Sequence, residues 1–239
     1  AYDETSVNFL EKMNVPAYKI ASFELNDIEL IKKIAGTKKP VFISKGMASL
    51  EETETAVSIL RANGVCGIAL LHCVSSYPAK LEDMNLATIS DIKERFNAVP
   101  GLSDHSLGIS AAITSVGLGA CVIEKHFTLH RTDGGLDSSF SLEPDELKEL
   151  IKSVRQTEKV IGKVQYGLIK EEKPNIIGRR SLFAVENIKS GEVFTVKNVR
   201  SIRPGYGLAP KFLPEILGKK AAKDIERGTP FSRNLIGEK

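Results

Sequence analysis

Five times between residues 17 and 162, a short apolar run ends in polar or reactive side chains and gives way to a segment of helical period. The runs are AYKIASFE (17–24), PVFISKGM (40–47), GIALLHCVSSYP (67–78), PGLSDHSLG (100–108) and CVIEKHFTL (121–129). The helical segments are NDIELIKKIAG (26–36), SLEETETAVSILRANG (49–64), LATISDIKERF (86–96), ISAAITSVGLGA (109–120) and EPDELKELIKSVRQTEKVIG (143–162), with DETSVNFLEKMN (3–14) ahead of the first run. Strand and helix in strict alternation, joined by short connections, predict consecutive βαβ units and a parallel sheet. The strands are near-continuous apolar runs, as a sheet covered on both faces requires. Asn26 and Gly36 are the expected start and stop of one helix. Ser49, with Glu52 at capping-box spacing and Gly64 at the end, brackets the next.

All C-terminal strand ends of a parallel sheet lie on one side, where active sites of barrels and open α/β sheets are built. Here those ends carry Lys19, Ser22 and Glu24, then Ser44 and Lys45, then Ser75, Ser76 and Tyr77. Ser103, Asp104 and His105 follow, and then Glu124, Lys125 and His126. Five strands are too few to close a barrel of eight. The pattern therefore predicts either an open sheet or the later part of a barrel.

After residue 163 the periodicity stops. Residues 164–178 read as a linker between an α/β domain (1–163) and a β-rich module (179–239). In that module IKSGEVFT and IERGTPFS form a weak internal repeat. Composition then removes several function classes. The net charge is +3, and the 33 basic residues form no block, which argues against nucleic acid and against a membrane surface. No apolar run is long enough to span a bilayer. AYDETSVNFL has no basic n-region, so no signal peptide is expected there. Cys66, Cys73 and Cys121 are odd in number and sit in apolar segments, so all three are expected to be buried thiols, and the protein cytoplasmic.

Of the four histidines, His105 and His126 end successive strands. Neighbouring strands lie about 4.8 Å apart, so the two imidazoles can share a divalent ion completed by water and substrate oxygens. The alternative is that each is a hydrogen-bonded polar group at a sheet edge. His72, inside an apolar run, reads as a buried structural histidine, and His130 as exposed. Lys19, Ser22, Ser44, Ser75 and Ser103 place one cation and several hydroxyls on a common rim, a composition suited to phosphate or carboxylate. Glu24, Tyr77 and Asp137 are candidates for binding hydroxyl groups or moving protons. TDGGLDSSFS (132–141) and RPGYG (203–207) read first as turns.

Together YKIASFE, ISKGMAS, LLHCVSSYP, GLSDHSLG, IEKHFTL, GGLDSSFSLEP and SIRPGYGL resemble the sialic acid synthase family, with KIASFE and DSSFSLEP nearest its pseudaminic branch. The last 60 residues resemble the antifreeze-like (SAF) domain that closes these synthases. The resemblance implies a (β/α)8 barrel of which residues 17–129 supply strands four to eight. The first three strands have no counterpart, so the chain is expected to be a fragment and inactive alone. It implies condensation of phosphoenolpyruvate with an N-acetylated amino-sugar aldehyde to a nine-carbon nonulosonic acid plus phosphate. The N-acetylneuraminate and legionaminic products stand as alternatives, and so does a non-catalytic glycan-binding role. It further implies Mn2+ or Mg2+ on His105 and His126. Phosphoenolpyruvate contacts fall to Lys19, Ser22, Ser44 and Ser103, and sugar-side roles to Glu24, Tyr77 and Asp137. Arg203 is implied to reach the partner subunit's site in a homodimer with exchanged antifreeze-like domains. One departure is Lys45, where the family usually has threonine.

Overall fold

The computed structural model describes residues 1–237 and divides into two compact units, Ala1–Lys163 and Val164–Lys239. The first unit alternates helix and strand: α1 (Glu4–Lys12), β1 (Tyr18–Ile20), α2 (Ile28–Gly36), β2 (Val41–Ser44), α3 (Leu50–Ala62), β3 (Ile68–Cys73), α4 (Thr88–Phe96), β4 (Val99–Asp104), α5 (Ser110–Gly117), β5 (Val122–Lys125) and α6 (Pro144–Ile161). The five strands form one parallel sheet in the order β1-β2-β3-β4-β5. It is a curled half-barrel, α/β in class, as the alternating pattern predicts.

Pleating sorts each strand into two faces. Tyr18 and Ile20, Val41 and Ile43, and Ile68 and Leu70 pack in one buried cluster with Leu30, Ile31 and Ile34 of α2 and Leu60 of α3. Leu102 joins a second cluster with Ile89 and Ala111, and partly buried Ile123 packs against a third around Ala112 and Leu150. The helices therefore cover one face of the sheet along its whole width. The residues of opposite parity line the concave face.

Local chemistry sets the helix starts. Ser49 and Glu52 form the expected reciprocal capping box on α3. On α2 the cap is Asp27, not Asn26: its carboxylate accepts from the Leu30 amide at 3.0 Å. An aspartate also complements the positive end of the helix, which an asparagine cannot do. Of the cysteines, Cys73 is buried and Cys66 and Cys121 are exposed. The last two precede strands, outside the sheet core, and this corrects the expectation of three buried thiols.

The second unit carries a 3-10 helix at Lys170–Gly178, the antiparallel pair β6 (Ser181–Ala184) and β7 (Val199–Ile202), and the short α7 (Leu213–Ile216). Much of the rest is held by paired loop backbone with a hidden two-fold of offset 37. Ile188 and Ile225 exchange both backbone hydrogen bonds at 2.8 Å. Gly191 donates to the Ala221 carbonyl, and Gly228 to that of Ala184, each at 2.8 Å. Phe194 donates to Lys219 and Phe231 to Leu182, again at 2.8 Å. The two phenylalanine rings meet edge to face at 5.1 Å in the core of the unit.

Candidate functional site

At the C-terminal strand ends of the first unit lies a cleft of about 390 Å³. Strand register explains how it is furnished. Phe42, the partner of Lys19, shares a face with Ser44; Ser44 pairs with Leu71, which shares a face with Cys73; Cys73 pairs with Ser103, and Ser103 with Glu124. Five neighbouring strands thus deliver ammonium, hydroxyl, thiol, hydroxyl and carboxylate to the concave face.

These groups bond to one another. Lys19 Nζ donates to Ser44 Oγ at 2.9 Å and lies 3.5 Å from Glu124 Oε1. Ser103 Oγ donates to the same Glu124 oxygen at 2.7 Å. Ser22 and Ser75 share a hydrogen bond of 2.8 Å. Gly46 makes room for that pair: its φ is +47°, and a Cβ there would sit 2.3 Å from Ser22 Cβ and 2.7 Å from Ser75 Oγ. Glu24 is half-buried, and its Oε2 is enclosed without a hydrogen-bond partner. Lys45 donates to the Gly46 carbonyl at 3.3 Å and is not among the residues lining the cleft, while burial pulls its ammonium pKa down.

The histidine pair lines the same cleft, two residues beyond Ser103 and Glu124 on β4 and β5. The His105 and His126 rings are 5.3 Å apart, edge to face. His105 Nδ1 lies 2.8 Å from the Val74 carbonyl, so it carries the proton and donates. Its Nε2 is left as a lone-pair donor, the arrangement in which imidazoles bind metals. His126 Nδ1 is 3.4 Å from Asp137 Oδ2. Burial, and then the neighbouring His105, lower the His126 pKa. The residues therefore fit a divalent ion. Among the described residues no group of three or more His, Cys, Asp or Glu side chains is arranged to hold one, so other oxygens would have to complete its shell. Tyr77 lines the cleft beside the pair, its ring centroid 4.3 Å from that of His105 and 5.8 Å from that of Phe140. Burial raises its phenol pKa, so it stays a hydrogen-bond donor at neutral pH.

Lys19, Ser22, Ser44, Ser103, Tyr77, His105, His126 and Asp137 all line the cleft. Ser75 stands behind Ser22, and His72 bonds the Met84 carbonyl on the helix-covered side of β3. The sequence offers Glu124 only as one strand-end residue among several, without its role as acceptor from Ser103 and ion-pair partner of Lys19, and gives no sign of Tyr2, which lines the cleft from ahead of α1. Arg203 belongs to the second unit and is exposed. Its loop is clamped: Ser181 Oγ donates to the Pro204 carbonyl at 2.7 Å and accepts from the Gly207 amide at 2.9 Å, and the Gly205 amide donates to the Ile177 carbonyl at 2.9 Å.

The NeuB family model matches residues 1–166, and the SAF domain model matches residues 179–236. A pseudaminic acid synthase of Campylobacter jejuni is 45% identical over 95% of this chain and 66% of its own length. An N,N'-diacetyllegionaminic acid synthase of the same species is 41% identical, over 94% of this chain and 68% of its own. Among solved structures, the spore coat polysaccharide biosynthesis protein SpsE of Bacillus subtilis is 35% identical with a TM-score of 0.65, covering 100% of this chain and 72% of that one. The chain thus spans about two thirds of the length of the curated relatives it matches.

Proposed function

The chain belongs to the NeuB family, and from that premise we propose that it carries the main part of a nonulosonic acid synthase site. That site joins phosphoenolpyruvate to the open-chain aldehyde of an N-acetylated amino sugar, giving a pseudaminic acid-type nine-carbon product and inorganic phosphate. The observation that carries the reading is that Lys19, Ser44 and Ser103 line one cleft together with the His105–His126 pair.

Lys19, with the hydroxyls of Ser22, Ser44 and Ser103, binds the phosphate and carboxylate of phosphoenolpyruvate, chiefly by charge and positioning. Glu124 orients the Ser103 hydroxyl and holds the Lys19 ammonium over Ser44. His105 and His126 would hold Mn2+ or Mg2+, which when bound would supply Lewis acidity for the carbonyl addition. Carbon 3 of the enol forms the new carbon–carbon bond. Water adds at carbon 2, and the tetrahedral centre loses phosphate by C–O cleavage. Tyr77 and Asp137 bind sugar hydroxyls, with the Tyr77 phenol donating; Glu24, which does not line the cleft, keeps a sugar-side role only by the family resemblance. Arg203, on its clamped loop, completes the site of a second copy in a homodimer with exchanged SAF domains.

The test is phosphate release from phosphoenolpyruvate with Mn2+ and a panel of N-acetylated sugars, run on a protein in which this chain is joined to the three earlier barrel strands that its relatives' length implies. Release that depends on a diacetamido sugar and is lost in Lys19→Ala and His105→Ala is the expected result. The legionaminic precursor belongs in the panel because a relative named for that product is nearly as similar. Phosphate release by the active protein that is indifferent to both substitutions would refute the assignment.

A further inference from the structure

Directly behind the two histidines lies a buried ion pair that no step above uses. Asp104 precedes His105, Lys125 precedes His126, and the two are register partners across β4 and β5. Their side chains are 0% and 4% exposed. Lys125 Nζ donates to Asp104 Oδ2 at 2.9 Å and also to the Ser106 carbonyl. Asp104 Oδ1 accepts from the Ser106 amide at 2.8 Å and from the Ser106 hydroxyl at 2.7 Å. Lys125 therefore grips the chain on both sides of His105 while its own backbone leads directly into His126. The His105 carbonyl is held as well, accepting from the Ala79 amide at 3.0 Å.

We infer that Asp104, Lys125 and Ser106 are positioning residues that fix the distance between the His105 and His126 imidazoles, and so set the affinity of the pair for a divalent cation. A buried ion pair is a poor device for stability alone, because desolvation of both charges offsets their attraction, and apolar replacements are often neutral. What this one does supply is directional: four hydrogen bonds join the two residues flanking one ligand, Asp104 and Ser106, to each other and to Lys125, which adjoins the other. Metal sites lose 10- to 100-fold in affinity when groups that orient their ligands are removed. The inference rests on the proposal that His105 and His126 bind the ion, and the test separates the two.

The probe is Mn2+ alone, titrated into the full chain and followed by the electron paramagnetic resonance signal of free Mn2+, with Co2+ absorption as a second readout of donor geometry. Removing one charge leaves the other buried and unpaired, so the principal variant is Asp104→Asn with Lys125→Met. Ser106→Ala is the mild variant, which keeps both charges. Far-ultraviolet circular dichroism and a cooperative melt check that each is folded. The double variant should bind Mn2+ at least tenfold more weakly with an altered Co2+ spectrum, and Ser106→Ala a fewfold more weakly. His126→Ala serves as the control and should abolish binding. If His126→Ala abolishes binding while folded double and Ser106→Ala variants stay within twofold of the parent, the clamp is wrong and the metal reading stands. If the double variant does not fold, unchanged Mn2+ affinity and Co2+ spectrum in Ser106→Ala overturn the clamp alone. Unchanged binding in His126→Ala overturns both.

Discussion

His72 lies on β3 facing the helices, with Nε2 against the Met84 carbonyl and Nδ1 enclosed without a partner. Burial, opposed by that hydrogen bond and reinforced by nearby Lys45, lowers its pKa below the ordinary imidazole value of 6.5. The unfolded chain therefore binds a proton there at a higher pH than the folded one. Stability is fully present above the unfolded value and falls as the pH drops below it, toward the lower folded pKa. The melting temperature should decline from pH 7 to pH 5, and His72→Gln should flatten that decline; equal slopes would remove His72 as its source. Arg203 offers a second test at this scale. A guanidinium held on a clamped loop suits a carbonyl or carboxylate, so in a protein that also carries the earlier barrel strands Arg203→Ala should raise the KM for the sugar about tenfold, or lower kcat, and leave the KM for phosphoenolpyruvate nearly unchanged. Partial recovery on mixing it with His105→Ala would place the arginine in the partner's site. Most cleft residues are legible in the sequence because strand ends concentrate them. Glu124 is legible only as one polar residue among several, since its partners arrive from β4 and β1 and no local pattern encodes that register.

Elements differ in how openly the sequence declares them. The five strands and the Ser49–Glu52 cap are local signals, and they are visible. The α2 cap falls one residue from its expected place because two capping residues, Asn26 and Asp27, stand side by side, and only geometry chooses between them. In the second unit the IKSGEVFT and IERGTPFS repeat is visible but weak. The bonds that make it a two-fold join loops far apart in sequence, such as Gly191 to Ala221 and Gly228 to Ala184. The Arg203 loop shows what such packing demands. A Cβ on Gly207 would lie 2.3 Å from the Leu182 carbonyl and 2.9 Å from the Phe231 amide, so no side chain fits. Gly207→Ala should cost about 1–3 kcal/mol, as overpacking does. Gly191, at φ +80° in open space, is the comparison: Gly191→Ala should cost about 1 kcal/mol, for backbone strain alone. Urea unfolding midpoints followed by circular dichroism would rank the two. A Gly207→Ala protein as stable as the parent would mean that the Arg203 loop is not clamped.

Charge and strand pairing are features of the whole molecule. Residues 1–163 hold 18 basic and 22 acidic side chains, and residues 164–239 hold 15 and 8, so the mild total of +3 conceals an acidic first unit and a basic second one. The absence of any lysine–arginine block hides this, because the basic side chains are denser in the second unit, 15 in 76 residues against 18 in 163, without forming a run. Among the described residues the sheet is also open, with β1 pairing only to β2 and β5 only to β4. Both features favour association, and they predict different behaviour. Pairing of acidic with basic units is screened within a Debye length of about 8 Å at 0.15 M salt and about 3 Å at 1 M. Backbone ladders added to an edge strand, with the apolar burial beside them, are not screened in this way. No helix among the described residues is long and apolar enough to cross a membrane. The chain alone should therefore self-associate through its open edges, and the association should persist in 1 M sodium chloride. Light scattering after size-exclusion chromatography, run from low to high micromolar protein at 0.1 and 1 M salt, distinguishes the outcomes. Oligomers that dissolve at high salt would assign assembly to the charge asymmetry. A monodisperse monomer at every concentration would show that neither the open edges nor the opposed charges suffice to bring two copies together.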